Sequence, residues 1–380
     1  MTDALSLVDD WGPEKIVVVS HRRTGMKGVL VIDNTARGMG KGGTRMSPHV
    51  TVDEVARLAR VMTWKWASVD LFYGGAKAGI VADPASPDKE AILRAFARAL
   101  SNEVPRAYVM GLDMGLTEDD AAIIQDELGD RGAAVGTPEH LGGVAYDELG
   151  VTGYGVAEAT DAAAQHLSLP LGGSRVAIQG FGAVGHAAAA RFAQLGATVV
   201  AVSTARGALY DPSGLDVQAL LTAREEHGDD FVNQHPQGAV IAPGRELTVD
   251  CDILVPAALQ DVIDDDTAHQ IKARLVTEGA NLPTSPQAQE ILAQRGIAVL
   301  PDFVANAGGV VAAAFAMDAR YSGFRPETPT IFQTISDRLR ANAVAVMEEA
   351  ERRGTTPHRA GRSLAEERVR TAMHSKGRMP

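Results

Sequence analysis

The chain has 380 residues, 45% hydrophobic and 22% charged, a composition that fits about two folded domains and excludes a disordered protein. Its 36 basic and 48 acidic residues give a net charge of -12, which argues against nucleic acid or an anionic membrane as the main partner. One cysteine, Cys251, leaves no disulfide framework and no thiolate metal cluster, so no metal is expected. The acidic stretch 1–10 does not read as a signal peptide, and no run of about 18 apolar residues spans a membrane, so the cytoplasm is the expected compartment.

Residues 15–20 and 28–33 are rich in Val and Ile and bounded by turn residues, which predicts paired strands. Residues 38–43 read as a glycine-dense loop. Apolar residues then recur at helical spacing over 52–62, with Thr51 as N-cap. Further helices are predicted over 88–99 and 118–128, the second capped by Thr117, with a short strand at 107–111 between them. Glycines crowd residues 140–155, and the domain boundary is placed there: 1–145 as an α/β substrate and oligomerisation domain, 146–329 as a dinucleotide-binding domain. Beyond it, a helix over 156–167 is followed by strands at 175–179, 198–203, 252–256, 275–278 and 298–301, separated by helical stretches. That alternation predicts a parallel, doubly wound, Rossmann-like sheet. Two helices close the chain, over 330–351 and 364–373, and the segment 330–380 is expected to pack back on the first domain.

Gly180, Gly182 and Gly185 form G-x-G-x-x-G between a predicted strand and a predicted helix. The first glycine permits the turn, the second lets backbone approach a pyrophosphate, and the third lets helix and strand pack closely. The phosphates would rest on the free N–H groups of the helix start, over Gly180, Phe181, Gly182, Ala183, Val184 and Gly185. The next strand ends Ser203-Thr204-Ala205-Arg206, without the carboxylate that an NAD site usually offers to the ribose. Arg206 instead suits a 2′-phosphate, so NADP is favoured over NAD; the bland alternative is a solvated turn arginine.

Three lysines of the first half sit among glycines or aromatics: Lys41 in Gly40-Lys-Gly-Gly, Lys65 between Trp64 and Trp66, and Lys77 in Gly74-Gly-Ala-Lys-Ala-Gly. Most lysines are solvated. One set among apolar neighbours snorkels or meets a buried anion, and one in a desolvated, cation-rich pocket can act as a base near neutrality. Asp113 follows a predicted strand; Thr117 is the better cap for the next helix, which leaves Asp113 available to move protons.

Eight stretches, in order, now carry a resemblance: Lys41-Gly-Gly-Thr-Arg, Met62-Thr-Trp-Lys, Gly74-Gly-Ala-Lys, Gly111-Leu-Asp, Thr152-Gly-Tyr-Gly-Val, Gln179-Gly-Phe-Gly-Ala-Val-Gly, Glu278-Gly-Ala-Asn-Leu-Pro-Thr and Pro301-Asp-Phe-Val-Ala-Asn-Ala-Gly-Gly-Val. Over almost its whole length the chain resembles the glutamate/leucine/phenylalanine/valine dehydrogenase family. The resemblance implies reversible oxidative deamination of an L-amino acid to its 2-oxo acid and ammonia, with NAD or NADP, in a homo-oligomer of hexameric or octameric type. It implies that Lys65 binds the α-carboxylate, that Lys77 activates the attacking water, and that Asp113 moves protons to and from the amino group. Thr152 would line the side-chain pocket, Asn306 would hold substrate on the nicotinamide side, and Asn281 would bind coenzyme.

In the glutamate branch the position of Lys41 holds a lysine that pairs with the side-chain carboxylate, whereas the leucine and phenylalanine branches place an apolar residue there. A buried unpaired ammonium is costly against an apolar substrate, so glutamate is the expected substrate. Two departures point the other way or are neutral: Ala313 stands where glutamate enzymes carry a serine, and Ala78 replaces a more usual glycine. The alternatives are a leucine-, valine- or phenylalanine-type enzyme, and a non-catalytic NAD(P)-binding regulator. A hydroxy-acid dehydrogenase would instead use a His–carboxylate pair and an arginine.

Overall fold

Strands Lys15–His21 (β1) and Met26–Asn34 (β2) pair antiparallel in unbroken register, from Lys15 opposite Ile32 to His21 opposite Met26. They open the first of two units in a computed structural model that describes residues 4–144 and 149–378. β3 (Gly40–Met46), α1 (Val52–Ser68), β4 (Gly74–Ile80), α2 (Lys89–Ala99), β5 (Tyr108–Leu112) and α3 (Glu118–Leu128) follow. The sheet order is β1-β2-β4-β3-β5, with β3 parallel to both of its neighbours and β2 antiparallel to β4.

Alternation along β2 builds the two layers, because successive side chains of a strand leave opposite faces. Val29 and Val31 pack with Val55 and Ala59 of α1, while Leu30 and Ile32 pack with Leu93 and Phe96 of α2. Thr51 caps α1 by accepting from the Glu54 N–H at 3.2 Å, and Asp120 accepts from the Thr117 N–H at 2.7 Å at the start of α3.

The glycine-dense stretch 38–43, expected as a loop, is largely the interior strand β3, and the glycine-framed Lys77 lies on the central strand β4. Close packing explains why glycine serves in strands here. A β-carbon on Gly42 would lie 1.7 Å from Ala76 O, and one on Gly75 would lie 2.0 Å from Thr63 Oγ1.

The second unit opens with α4 (Val151–His166), β6 (Arg175–Gln179), α5 (Ala183–Gln194), β7 (Thr198–Thr204) and β8 (Gly207–Tyr210). It continues through α6 (Val217–His227), α7 (Phe231–Gln234), β9 (Ala239–Ile241), β10 (Ile253–Pro256), α8 (Asp265–Gln270), β11 (Leu275–Thr277), α9 (Pro286–Gln294), β12 (Ala298–Leu300) and α10 (Asp302–Ala305). The order β12-β11-β10-β6-β7-β8-β9 is parallel from β12 to β7. β8 and β9 add an antiparallel edge that the sequence reading lacks; they are short, and β9 is largely exposed. The chain leaves β6 for β7 on one side and returns to β10 on the other, so β6 and β10 flank the switch point where such sheets bind ligands.

α4 begins at Val151, inside the stretch expected to be a boundary. Glycine stands inside this helix at Gly153 because a β-carbon there would lie 2.2 Å from Val184 O of α5. The expected boundary at 145/146 lies outside the described residues, as do residues 1–3 of the acidic N-terminus. The chain ends in α11 (Gly308–Ala319), α12 (Thr328–Arg353) and α13 (Pro357–Ser375).

Residues Val310–Ile331 and Ala365–Pro380 group with the first unit, where Ala365, Val369 and Met373 pack around Trp64. Phe332–Leu364 groups with the second unit rather than with the first, where the whole of 330–380 was expected. α12 packs on the second unit through Ile335 and Leu339 against Gly155 of α4, and half-buried Arg340 pairs with Asp161 of α4 at 2.6 Å and with Glu158 at 3.0 Å. Among the described residues no helix is long and apolar enough to cross a membrane.

Candidate active site

Lys41 and Arg45 of β3 lie in register with Gly75 and Gly79 of β4, so their side chains share a face with Lys77. The residue between them, Gly43, has no side chain to fill that face. A β-carbon on Gly43 would lie 2.8 Å from Asp113 Cβ and 3.2 Å from Lys77 Nζ. Lys77 Nζ donates to Asp113 Oδ2 at 2.6 Å, and Arg45 Nε lies 3.3 Å from the same oxygen. Arg45 is itself held by Glu54 at 2.6 Å. Burial raises the Asp113 pKa, but the Lys77 charge and hydrogen bond, with the Arg45 charge, outweigh it and hold the carboxyl below its ordinary value.

Lys41 is 2% exposed, and neither a hydrogen bond nor an ion pair to its Nζ is found among the described residues. Burial, then the charges of Lys77 and Arg320, lowers its pKa to about 7. The backbone around it is fixed, because Trp66 Nε1 donates to Lys41 O at 3.1 Å. The Trp66 ring rests 4.9 Å from that of Tyr73, whose hydroxyl donates to Asp318 at 3.0 Å. Lys65 is buried late in α1, the helix that packs on β4. The structure thus joins Lys77 directly to Asp113 and places Lys41 on their face of the sheet, with Lys65 on the adjoining helix.

Sequence reasoning gave Arg45 no role, although it stood in the quoted Lys41-Gly-Gly-Thr-Arg. Two strand steps of two residues separate it from Lys41, and that spacing was the available signal. Arg320 carried no such signal, since it comes from a distant part of the chain.

In the second unit Gly180 has φ +89°, a conformation that favours glycine, and its N–H donates to Ser203 Oγ at 2.9 Å. A β-carbon on Gly185 would lie 1.8 Å from Gly180 O, so helix and loop meet too closely for any side chain. A β-carbon on Gly182, the N-cap of α5, would face open space. Phe181 is buried against Phe231, while Ala183 is exposed and Val184 half-buried. This turn therefore fits a dinucleotide: its backbone is exposed at the start of a 12-residue helix, beside the switch point of the sheet.

Thr204 donates to Asp229 O at 2.7 Å and accepts from the Arg206 N–H at 3.1 Å, which shapes the β7–β8 turn. The Arg206 side chain is exposed. Asp230 is near enough to feel it: its carboxyl is held below the ordinary value by hydrogen bonds from Asn233 and Gln234, and further by the Arg206 charge.

Asn306 is buried and donates to Gly279 O at 3.2 Å, Ala280 O at 3.3 Å and Asn281 Oδ1 at 3.1 Å, so the structure brings Asn306 and Asn281 together. Thr152, in the first turn of α4, lies beside Gly309, whose β-carbon would stand 3.1 Å from Thr152 Oγ1. One acid here was not singled out from the sequence. Glu278 is 1% exposed, and burial together with the nearby Asp302 charge pushes its pKa up to about 8. It accepts from the Asp302 N–H at 3.0 Å and so ties the Asn281 loop to α10.

A doubly wound coenzyme half and a lysine-lined mixed sheet define a two-domain α/β dehydrogenase. The description Glutamate/Leucine/Phenylalanine/Valine dehydrogenase matches residues 142–377, and the dimerisation domain of the same family matches residues 13–130. The chain belongs to this family of NAD(P)-dependent amino-acid oxidoreductases. It is 35% identical over 385 residues to the NADP-specific glutamate dehydrogenase of Saccharolobus shibatae, covering 96% of this chain and 90% of that one. To the NAD-specific glutamate dehydrogenase of Staphylococcus aureus it is 36% identical over 331 residues, covering 84% and 79%. The leucine-bound hetero-hexameric glutamate dehydrogenase of Thermus thermophilus superposes with a TM-score of 0.85 at 31% identity, covering 99% of this chain and 93% of that one.

Proposed function

We propose that the protein interconverts L-glutamate with 2-oxoglutarate and ammonia, and that Lys41 selects the substrate. The observation that carries this reading is the buried Lys41 amine, which has a cationic neighbourhood and no carboxylate of its own among the described residues. A charge there is costly without a counter-ion, and a substrate carboxylate supplies one while an apolar side chain does not.

The bound coenzyme supplies one piece of chemistry, accepting hydride from the amino-acid Cα in the oxidative direction. The chain's own residues do the rest. Lys65 holds the α-carboxylate. Lys77 activates the water that attacks the imino carbon, passing its own proton to Asp113 as it takes the proton of the water. Asp113, 2.6 Å from Lys77 Nζ, receives and returns protons at the amino nitrogen, and its lowered pKa keeps it ionised and able to accept. Thr152 and Asn306 contact substrate; Gly180 to Gly185, Thr204, Arg206 and Asn281 contact coenzyme. Arg206, without a carboxylate at the end of β7, favours NADP. The unit that matches the dimerisation domain builds a homo-oligomer of the hexameric kind, and the protein works in the cytoplasm.

Ala313 favours a second reading, an apolar amino acid as substrate, because it supplies no hydroxyl to a distal carboxylate. A matrix of initial rates with 2-oxoglutarate, 2-oxoisocaproate and phenylpyruvate, each with ammonia and with NADPH or NADH, separates the two. The glutamate reading expects 2-oxoglutarate to lead clearly; a lead by either of the others would overturn it.

A further inference from the structure

We infer that a substrate with a distal carboxylate draws one proton from solvent onto the Lys41 amine as it binds, because this buried amine has no carboxylate of its own among the described residues and stands among cations. This rests on the glutamate reading and adds a pH-dependent control of affinity to that site. The bond formed is N–H on Lys41, the proton comes from water or buffer, and the product is an ammonium–carboxylate pair.

The geometry points this way. Lys41 is buried on β3. The charged groups on the elements around it are Lys77 on β4, Lys65 on α1, Asp113 beyond β5, Arg45 on its own strand, and Arg320 just after α11; of the others on α1, Glu54 is held by Arg45, Arg60 by Asp33, and Asp53 and Arg57 are exposed. Asp113 is committed to Lys77 and Arg45, and Asp318 accepts from Tyr73. Tyr108, buried on β5, donates to Gly42 O at 3.0 Å, and its phenol is pushed up by burial, so it supplies no anion. Burial first, and then the charges of Lys77 and Arg320, disfavour a positive charge there and lower the Lys41 pKa to about 7. A carboxylate seated against Nζ reverses the balance.

Calorimetry with 2-oxoglutarate in buffers of different ionisation enthalpy tests this, using the enzyme saturated with reduced coenzyme and free of ammonia. 2-Oxovalerate, which keeps the 2-oxo acid head and lacks the distal carboxylate, is the comparison. The expected result is an excess uptake of about one proton per site with 2-oxoglutarate near pH 8, vanishing near pH 6. The matching affinity should fall about tenfold per pH unit above neutrality, with no such slope for 2-oxovalerate. Tight binding of 2-oxoglutarate with no excess uptake near pH 8 would overturn the inference and leave the glutamate reading standing. Failure of 2-oxoglutarate to bind while another 2-oxo acid binds would overturn both.

Discussion

A β-carbon built on Gly111 would lie 2.3 Å from Lys41 Nζ. Gly111 faces Gly43 across the β3–β5 pairing, so the strand that leads to Asp113 also forms one wall for the Lys41 amine. Gly111→Ala must displace the end of a long side chain, which costs the fold little. It should raise the KM for 2-oxoglutarate by about tenfold, the effect of losing one charge-assisted contact, with kcat less changed. Steady-state kinetics beside a melting curve check this; an unchanged KM would place the substrate carboxylate elsewhere.

Asp113→Asn keeps the shape of the side chain and removes its charge and basicity. Turnover should fall by about 10² to 10⁴, the usual worth of a positioned acid–base group, while coenzyme affinity holds. A near-normal kcat would remove Asp113 from proton transfer.

The third prediction concerns stability. Glu158 of α4 is 1% exposed and takes hydrogen bonds from Ser336 at 2.7 Å and Arg340 at 3.0 Å, both on α12, with Arg191 of α5 at 2.6 Å. Glu158→Gln leaves Arg191 without its acid and Arg340 with Asp161 alone, and should cost roughly 3 kcal/mol, read as a drop in Tm. Burial raises the Glu158 pKa, but Ser336 and the two arginines lower it further, so the net value lies below 4.5. The network is therefore complete above about pH 4.5 and is lost as pH falls through the lower folded value. The Tm gap between wild type and variant should shrink in that acid range; a gap independent of pH would contradict the ionic account.

Two glycines of the turn between β6 and α5 should part company. Gly185→Ala forces a β-carbon to 1.8 Å from Gly180 O and should destabilise the second unit. Gly182→Ala points into open space, so the fold should survive while coenzyme affinity drops. Melting curves and coenzyme titrations of both variants check the contrast. Unaltered coenzyme binding by Gly182→Ala would argue that no phosphate approaches that backbone.

Local chemistry made much of this legible in the sequence. Thr51 and Thr117 announced their helices, and the G-x-G-x-x-G sat between strand and helix as its spacing required. The clearest misreading was Gly38 to Gly43. Glycine runs signal turns, and nothing local says that Ala76 O will press against Gly42 from the neighbouring strand. Gly75 was concealed in the same way by Thr63. The β8–β9 edge was too short for its alternation to register. Pairings between distant segments were invisible by nature: Arg340 with Glu158, which draws α12 to the second unit, and Arg320, which shares its field with Lys41.

The most direct measurement is the ratio of kcat/KM for 2-oxoglutarate to that for 2-oxovalerate, in the wild-type enzyme and in Lys41→Met. A buried ammonium that reads the distal carboxylate predicts a large wild-type ratio that collapses by about 100-fold or more in the variant, since a charged contact of about 3 kcal/mol is lost. The same ratio in both enzymes would contradict the account.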